Sequence, residues 1–157
     1  MKAIVKLISS VSICLLTGFV GSFSTMDSVG TWYADLSKPS FNPPDWAFGV
    51  VWPILYVMMG VSAFLIWRKG ISSKRAKVAM GWFVFQLVLN GLWPPIFFGL
   101  HMIGLALAEV IVLWVSILIT IFAFWRISIT AACLLIPYIL WVSFAMALNA
   151  ALWHLNR

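Results

Sequence analysis

The chain has 157 residues, of which 64% are hydrophobic and only 9% charged, with a net charge of +6 and a mean hydropathy of +1.07. A water-soluble domain of this length needs far more charge on its surface, so the composition excludes an ordinary soluble fold and points to the bilayer as solvent. The length suits one hydrophobic bundle and leaves no room for a second domain.

About 20 apolar residues cross a membrane as a helix, and five runs qualify: roughly 4–26, 46–67, 78–100, 103–125 and 130–153. The sequence therefore predicts an all-α integral membrane protein, a five-transmembrane-helix bundle forming one domain over 1–157. Lys2 and Lys6 followed by an apolar stretch also fit a secretory signal peptide, but the stretch is long and no A-x-A-like site follows, which favours a retained helix. A polar, proline-rich loop with Asp27, Asp35, Lys38 and Asp45 leads to the second run; the other connections are short. Lys2, Lys6, Arg68, Lys69, Lys74, Arg75, Lys77 and Arg126 all fall on one side of such a bundle, against Lys38 and Arg157 on the other. The positive-inside rule then puts the amino terminus in the cytoplasm. The basic stretch "RKGISSKRAK" reads as a topological anchor facing anionic lipid, not as a nucleic-acid patch.

The chain holds ten tryptophans. Trp67, Trp82, Trp125 and Trp153 lie near span ends, as an aromatic belt requires; Trp32 lies in the first loop and Trp46 opens the second span. Trp52, Trp93, Trp114 and Trp141 lie deeper, where an indole N–H needs an acceptor. Helical spacing groups these rings with polar side chains. Phe48, Trp52 and Tyr56 share a face of the second span; Gln86, Asn90, Trp93 and Phe97 share one of the third; Tyr138, Trp141, Ala145 and Asn149 share one of the fifth. Converging, these faces would form an aromatic cleft with a few hydrogen-bonding groups, suited to a large planar apolar molecule. The amides can equally serve as glue between helices, and spacing alone leaves both readings open. Pro94 and Pro95 deprive the carbonyls of Asn90 and Gly91 of their helical partners, and Pro137 does the same to Cys133. Pro53 sits near the start of the second span, where the cost is smaller.

Other residues offer less chemistry. Cys14 and Cys133 lack metal-site or redox spacing and read as small buried hydrophobes. Glu109 is the one acid inside a span, a functional candidate by position that is also within reach of the interface or a polar neighbour. His101 and His154 fall near one membrane face; ligation of haem iron is conceivable, but interfacial histidines are the simpler reading. No Ser–His–Asp set, phosphate loop or paired carboxylates appear, so neither hydrolytic nor metal-dependent catalysis has residues to work with, and no metal site is expected. Gly18 and Ser22 make a small-xxx-small step, a weak hint of close helix contact.

The stretches "WYADLSKPSFNPPDWAFGVVWPILY", "LNGLWPPIFF" and "PYILWVSFAMALN" carry a resemblance that covers nearly the whole chain in order. The sequence resembles the translocator protein family, also called tryptophan-rich sensory proteins (TspO), in its bacterial form. The resemblance implies a five-helix bundle and often a homodimer. It implies a receptor for porphyrins such as protoporphyrin IX, and also for synthetic isoquinoline-carboxamide and benzodiazepine ligands, with cholesterol in some members. No obligatory cofactor is implied; porphyrin enters as ligand, with haem a further candidate. By resemblance Trp52, Tyr56, Asn90, Phe97, Trp141 and Ala145 line the pocket, and Trp32, Tyr33 and Pro43 form its lid. Some bacterial members degrade protoporphyrin IX in light, which would put Trp52 and Trp141 in that chemistry. The sterol motif of the mammalian members is broken here, because Ala150 and Ala151 stand where a tyrosine belongs. Three roles follow: a sensor regulating tetrapyrrole levels, a tetrapyrrole transporter, or a photo-oxidative enzyme. Binding is favoured, because aromatic packing is what the sequence visibly supplies, and no internal repeat suggests the halves of a transporter. The prokaryotic look of the amino end suggests a bacterial cytoplasmic membrane.

Overall fold

The structure, a computed structural model, describes residues 2–157; the side chain of Asp27, an acid read into the first loop, lies outside the described residues. The chain forms helices α1 (Lys2–Val29), α2 (Trp32–Asp35), α3 (Asp45–Lys69), α4 (Lys74–Pro94), α5 (Ile103–Trp125), α6 (Ile129–Cys133) and α7 (Ile136–Leu155), with a π-helical turn Pro95–Gly99 prolonging α4. No strand occurs among the described residues. Five rods are long and apolar enough to cross a membrane, α6 and α7 together making the fifth.

Local chemistry explains where the rods start and stop. α1 runs to Val29, three residues past the expected end, and the expected open loop then holds a single helical turn at Trp32. α3 begins after Pro44 with Asp45 in its first turn, where a negative charge suits the positive end of the helix dipole. It ends at Arg68 and Lys69, followed by Gly70 at φ +99°, a left-handed position that favours glycine. The Ser73 hydroxyl accepts from the amide of Ala76, 3.2 Å away, and starts α4. Pro94 and Pro95 remove two donors, and the ladder answers by widening: Leu100 N–H donates five residues back to Pro95 at 2.8 Å. Pro137 interrupts the fifth rod, which the sequence predicts as one continuous span. The break falls between Cys133 and Ile136.

The helices form a ring. α1 packs on α3 and α4, α4 on α5, α5 on α7, and α6 on α3, while α3 and α7 meet only lightly. At the end carrying the basic loops the ring is filled. Met59, Ile66, Ala79, Ile117, Phe124, Ala131 and Ala132 are fully or almost fully buried there, and Phe83 stacks on Phe124 at 5.7 Å. Gly60 allows α1 to touch α3, since a Cβ there would lie 2.5 Å from the Cα of Val11. Ser62 donates to the carbonyl of Ala131 at 2.7 Å, tying α3 to α6. Ile4, Ile8, Phe23, Phe122 and Leu140 point outward and remain exposed, as lipid-facing side chains do.

Candidate ligand cavity

At the other end the ring is hollow. A cavity of about 590 Å³ lies between α1, α3, α4, α5 and α7, beneath Tyr33 of α2. That volume falls within the range of small-molecule sites, about 300–1,000 Å³.

Its floor is a chain of hydrogen bonds. Tyr56 Oη donates to Asn90 Oδ1 at 2.5 Å, Asn90 Nδ2 to Tyr138 Oη at 3.1 Å, and Tyr138 Oη to Gln86 Oε1 at 2.8 Å. All four residues are buried. The chain therefore joins α3, α4 and α7 with its polar atoms satisfied, save Gln86 Nε2, which has no partner among the described residues.

The walls are aromatic. Trp52 stacks on Tyr56 at 5.7 Å and 29°, and Trp93 on Phe97 at 4.8 Å and 17°. Trp93 Nε1 donates to Asn149 Oδ1 at 3.2 Å, and Asn149 Nδ2 reaches the carbonyl of Ile103 at 3.0 Å. Asn149 thus fixes the ring and holds the start of α5.

The roof is latched from several sides. Tyr33 is 3% exposed, and its hydroxyl donates to Asn42 Oδ1 at 2.8 Å. Burial pushes its phenol up from 10.0 to about 12; the charge of Asp45 adds to this, and the bond to Asn42 opposes it. Ser28 Oγ donates to the carbonyl of Phe98 at 2.7 Å. Ser37 and Asn156 exchange two bonds of 2.9 and 3.0 Å, clamping the loop to the end of α7. Trp32 stacks on His101 at 4.2 Å and 15°.

Of the residues expected at the site, Tyr33, Phe48, Trp52, Tyr56, Asn90, Trp93, Phe97 and Ala145 line the cavity. Five others stand elsewhere. Gln86 and Tyr138 form the buried far end of the floor's hydrogen-bond chain and are absent from the cavity lining: Tyr138 bonds Asn90 and Gln86, and so ties α4 to α7. Trp141 packs edge-on against Phe48 at 6.0 Å and beside Phe144 at 5.4 Å, filling the loose α3–α7 seam. Its buried Nε1 finds no acceptor among the described residues. Of Trp52 and Trp141, Trp52 alone lines the cavity. Trp32 braces the roof from outside through His101. Pro43 lends only its carbonyl, which accepts from Asn42 Nδ2 at 3.0 Å.

The sequence reading missed the α1 wall, made by Gly18, Gly21, Ser22 and Thr25, and the Val110–Leu113 strip of α5. The small-xxx-small step was the available signal for α1. Gly18 meets Tyr56 of the same chain, whose ring would overlap a Cβ there, and Ser22 faces the cavity. The step is therefore used within one chain. Trp114 satisfies its indole through Ser143 Oγ at 2.8 Å. Glu109 lies outside the lining, with both carboxyl oxygens buried and unpartnered among the described residues. No group of three metal-ligating side chains occurs among the described residues.

Comparison with known proteins agrees with this architecture. The TspO/MBR family model matches residues 10–154. The chain is 40% identical to the tryptophan-rich protein TspO of Chlorobaculum tepidum, over 99% of this chain and 98% of that protein. It is 42% identical to the tryptophan-rich protein TspO of Archaeoglobus fulgidus, over 98% of both chains. It is 40% identical to the translocator protein of Homo sapiens, over 88% of this chain and 83% of that one. Five apolar rods around a roofed aromatic cavity, matched along almost their full length, leave one assignment: the chain is a multi-pass membrane protein and belongs to the TspO/MBR family.

Proposed function

We propose that this protein is a membrane receptor or sensor that binds porphyrins, protoporphyrin IX foremost, in the cavity beneath Tyr33, and so regulates tetrapyrrole levels. One observation carries the reading: two near-parallel aromatic pairs, Trp52 with Tyr56 and Trp93 with Phe97, stand on two different helices around one apolar hollow. Flat rings on the walls suit a flat guest, and each stacking contact adds about 1 kcal/mol beyond area burial. No histidine or cysteine is among the lining residues, so the contacts favour the macrocycle over histidine or thiolate ligation of iron. Family membership supports a sensory role, one relative being the tryptophan-rich sensory protein of Cereibacter sphaeroides, 36% identical over 80% of this chain. Isoquinoline-carboxamide and benzodiazepine-type ligands share the required flatness and are expected as competitors.

Titration of the purified protein with protoporphyrin IX, read by quenching of tryptophan fluorescence, tests the proposal. Trp52→Ala should weaken binding about tenfold or more, a loss of about 1.4 kcal/mol or above, with the helical circular-dichroism spectrum intact. Equal affinity in the two proteins overturns the assignment. Illumination of the same complex separates sensing from degradation, since a sensor leaves the porphyrin spectrum unchanged.

A further inference from the structure

Among the residues lining the cavity, Asp45 is the one with a charged side chain. Its place in the first turn of α3 suits the helix dipole, but that role does not require it to face the hollow. Asp45, Gly49 and Pro53 follow one another at steps of four along one face of α3, and all three line the cavity while remaining exposed. Across from them on α1, Leu15 and Phe19 do the same, at 37% and 61% exposure. The cavity is therefore open sideways, between α1 and α3, toward the space the lipid fills. Above, the Tyr33–Asn42 bond and the Ser37–Asn156 clamp hold the roof shut. Lys38, the nearby loop cation, points its ammonium at the Tyr33 ring, 4.7 Å from the centroid, and at the carbonyl of Ala34.

We propose that ligands enter this cavity sideways from the bilayer through the gap between α1 and α3, and that Asp45 on the rim of the gap discriminates against anionic ligands in favour of neutral or cationic flat ones. The proposal rests on the reading of the cavity as the ligand site. A ligand leaving lipid meets the carboxylate at the mouth. A dicarboxylate such as protoporphyrin IX is held back by like charge, while its ester, or a flat aromatic amine, is not. The site is thus built for the uncharged body of its ligand, and the free acid binds despite Asp45.

Protoporphyrin IX and its dimethyl ester, titrated against the full chain in lipid nanodiscs, test the selectivity. Asp45→Asn should strengthen binding of the diacid by roughly three- to tenfold, the scale of one interfacial charge pair, and leave the ester within twofold. The gain should shrink at high salt. Comparing each ligand between the two proteins cancels its own partitioning into lipid. Equal shifts for diacid and ester, or none for either, overturn the selectivity. Trp52→Ala is the control for the site itself: if it weakens neither ligand, the cavity reading fails and this inference falls with it. If it weakens both while Asp45→Asn moves neither, only the role of Asp45 fails. The route has a separate test. A Cβ on Gly49 meets nothing within 4 Å, so a side chain can start there, and Gly49→Phe should narrow the gap. It should slow association of the ester about tenfold; an unchanged association rate overturns sideways entry.

Discussion

The two halves of this bundle use the same helices to opposite ends. Toward the basic loops small residues face one another: Gly60 lets Val11 of α1 against α3, and Ala63, Ala79, Ala131 and Ala132 are buried with almost no exposed surface. Toward Tyr33, rings on the α3 and α4 rods, Trp52, Trp93 and Phe97 among them, face the small residues of α1 across a cavity. In a membrane no water drives helices together, so close packing and interhelical hydrogen bonds decide how tightly they associate. A chain that packs one half to contact therefore supports a hollow in the other half.

This contrast is open to attack at graded strength. Gly60→Ala should do most damage, because the added carbon meets backbone of α1, which cannot step aside. A loss of about 3 kcal/mol, read as a fall in Tm in detergent, is expected. Asn90→Leu should rank next, at about 2 kcal/mol, since it leaves Tyr56 and Tyr138 without their shared partner. Gly18→Ala should sharpen the comparison. The obstacle there is the ring of Tyr56, a side chain able to swing into the hollow. Stability should fall by only about 1 kcal/mol, while protoporphyrin affinity drops about tenfold because the ring takes up cavity space. Equal destabilisation by Gly18→Ala and Gly60→Ala would show the two halves to be packed alike.

Asn156→Ala should be gentler still, at about 1 kcal/mol or less. It removes the clamp on Ser37 and should show as faster amide hydrogen exchange at residues 36–44 without change at the basic end. The smallest effect belongs to pH. A phenol raised from 10.0 to about 12 in the folded state contributes stability that is complete below pH 10 and lost only as pH rises through 12. Roof exchange rates, corrected for intrinsic chemistry, should therefore be flat from neutral to mildly alkaline pH, with tyrosinate absorbance appearing late for Tyr33.

Periodicity made the rods and the aromatic walls legible, because an i, i+4 pair such as Trp52 and Tyr56 must share a face. It could not say which side of a face meets the hollow. Tyr138 and Trp141 sit three residues apart on α7, yet one is glue and the other fills a seam. Register between helices decides this, and register is a tertiary property. The α1 wall was hard to see for a different reason: glycine and serine have too little side chain to announce a role. The split of the fifth rod was not legible: Pro137 marked a lost donor within one expected span, and the break itself goes with the packing of α6 against α3.

The π turn at Pro95–Gly99 bears on how this gene tolerates length changes. A wide turn holds one residue more than an α-helix needs for the same rise, so the last residues of this rod, which ends at Gly99, sit out of α-helical phase. Removing one codon within 95–99 would shorten the protein by a single amino acid and still leave a continuous helix. It would also swing Phe98, whose carbonyl anchors Ser28, away from the roof. Insertions and deletions here act as rotations of Phe97 and Phe98, which line the cavity.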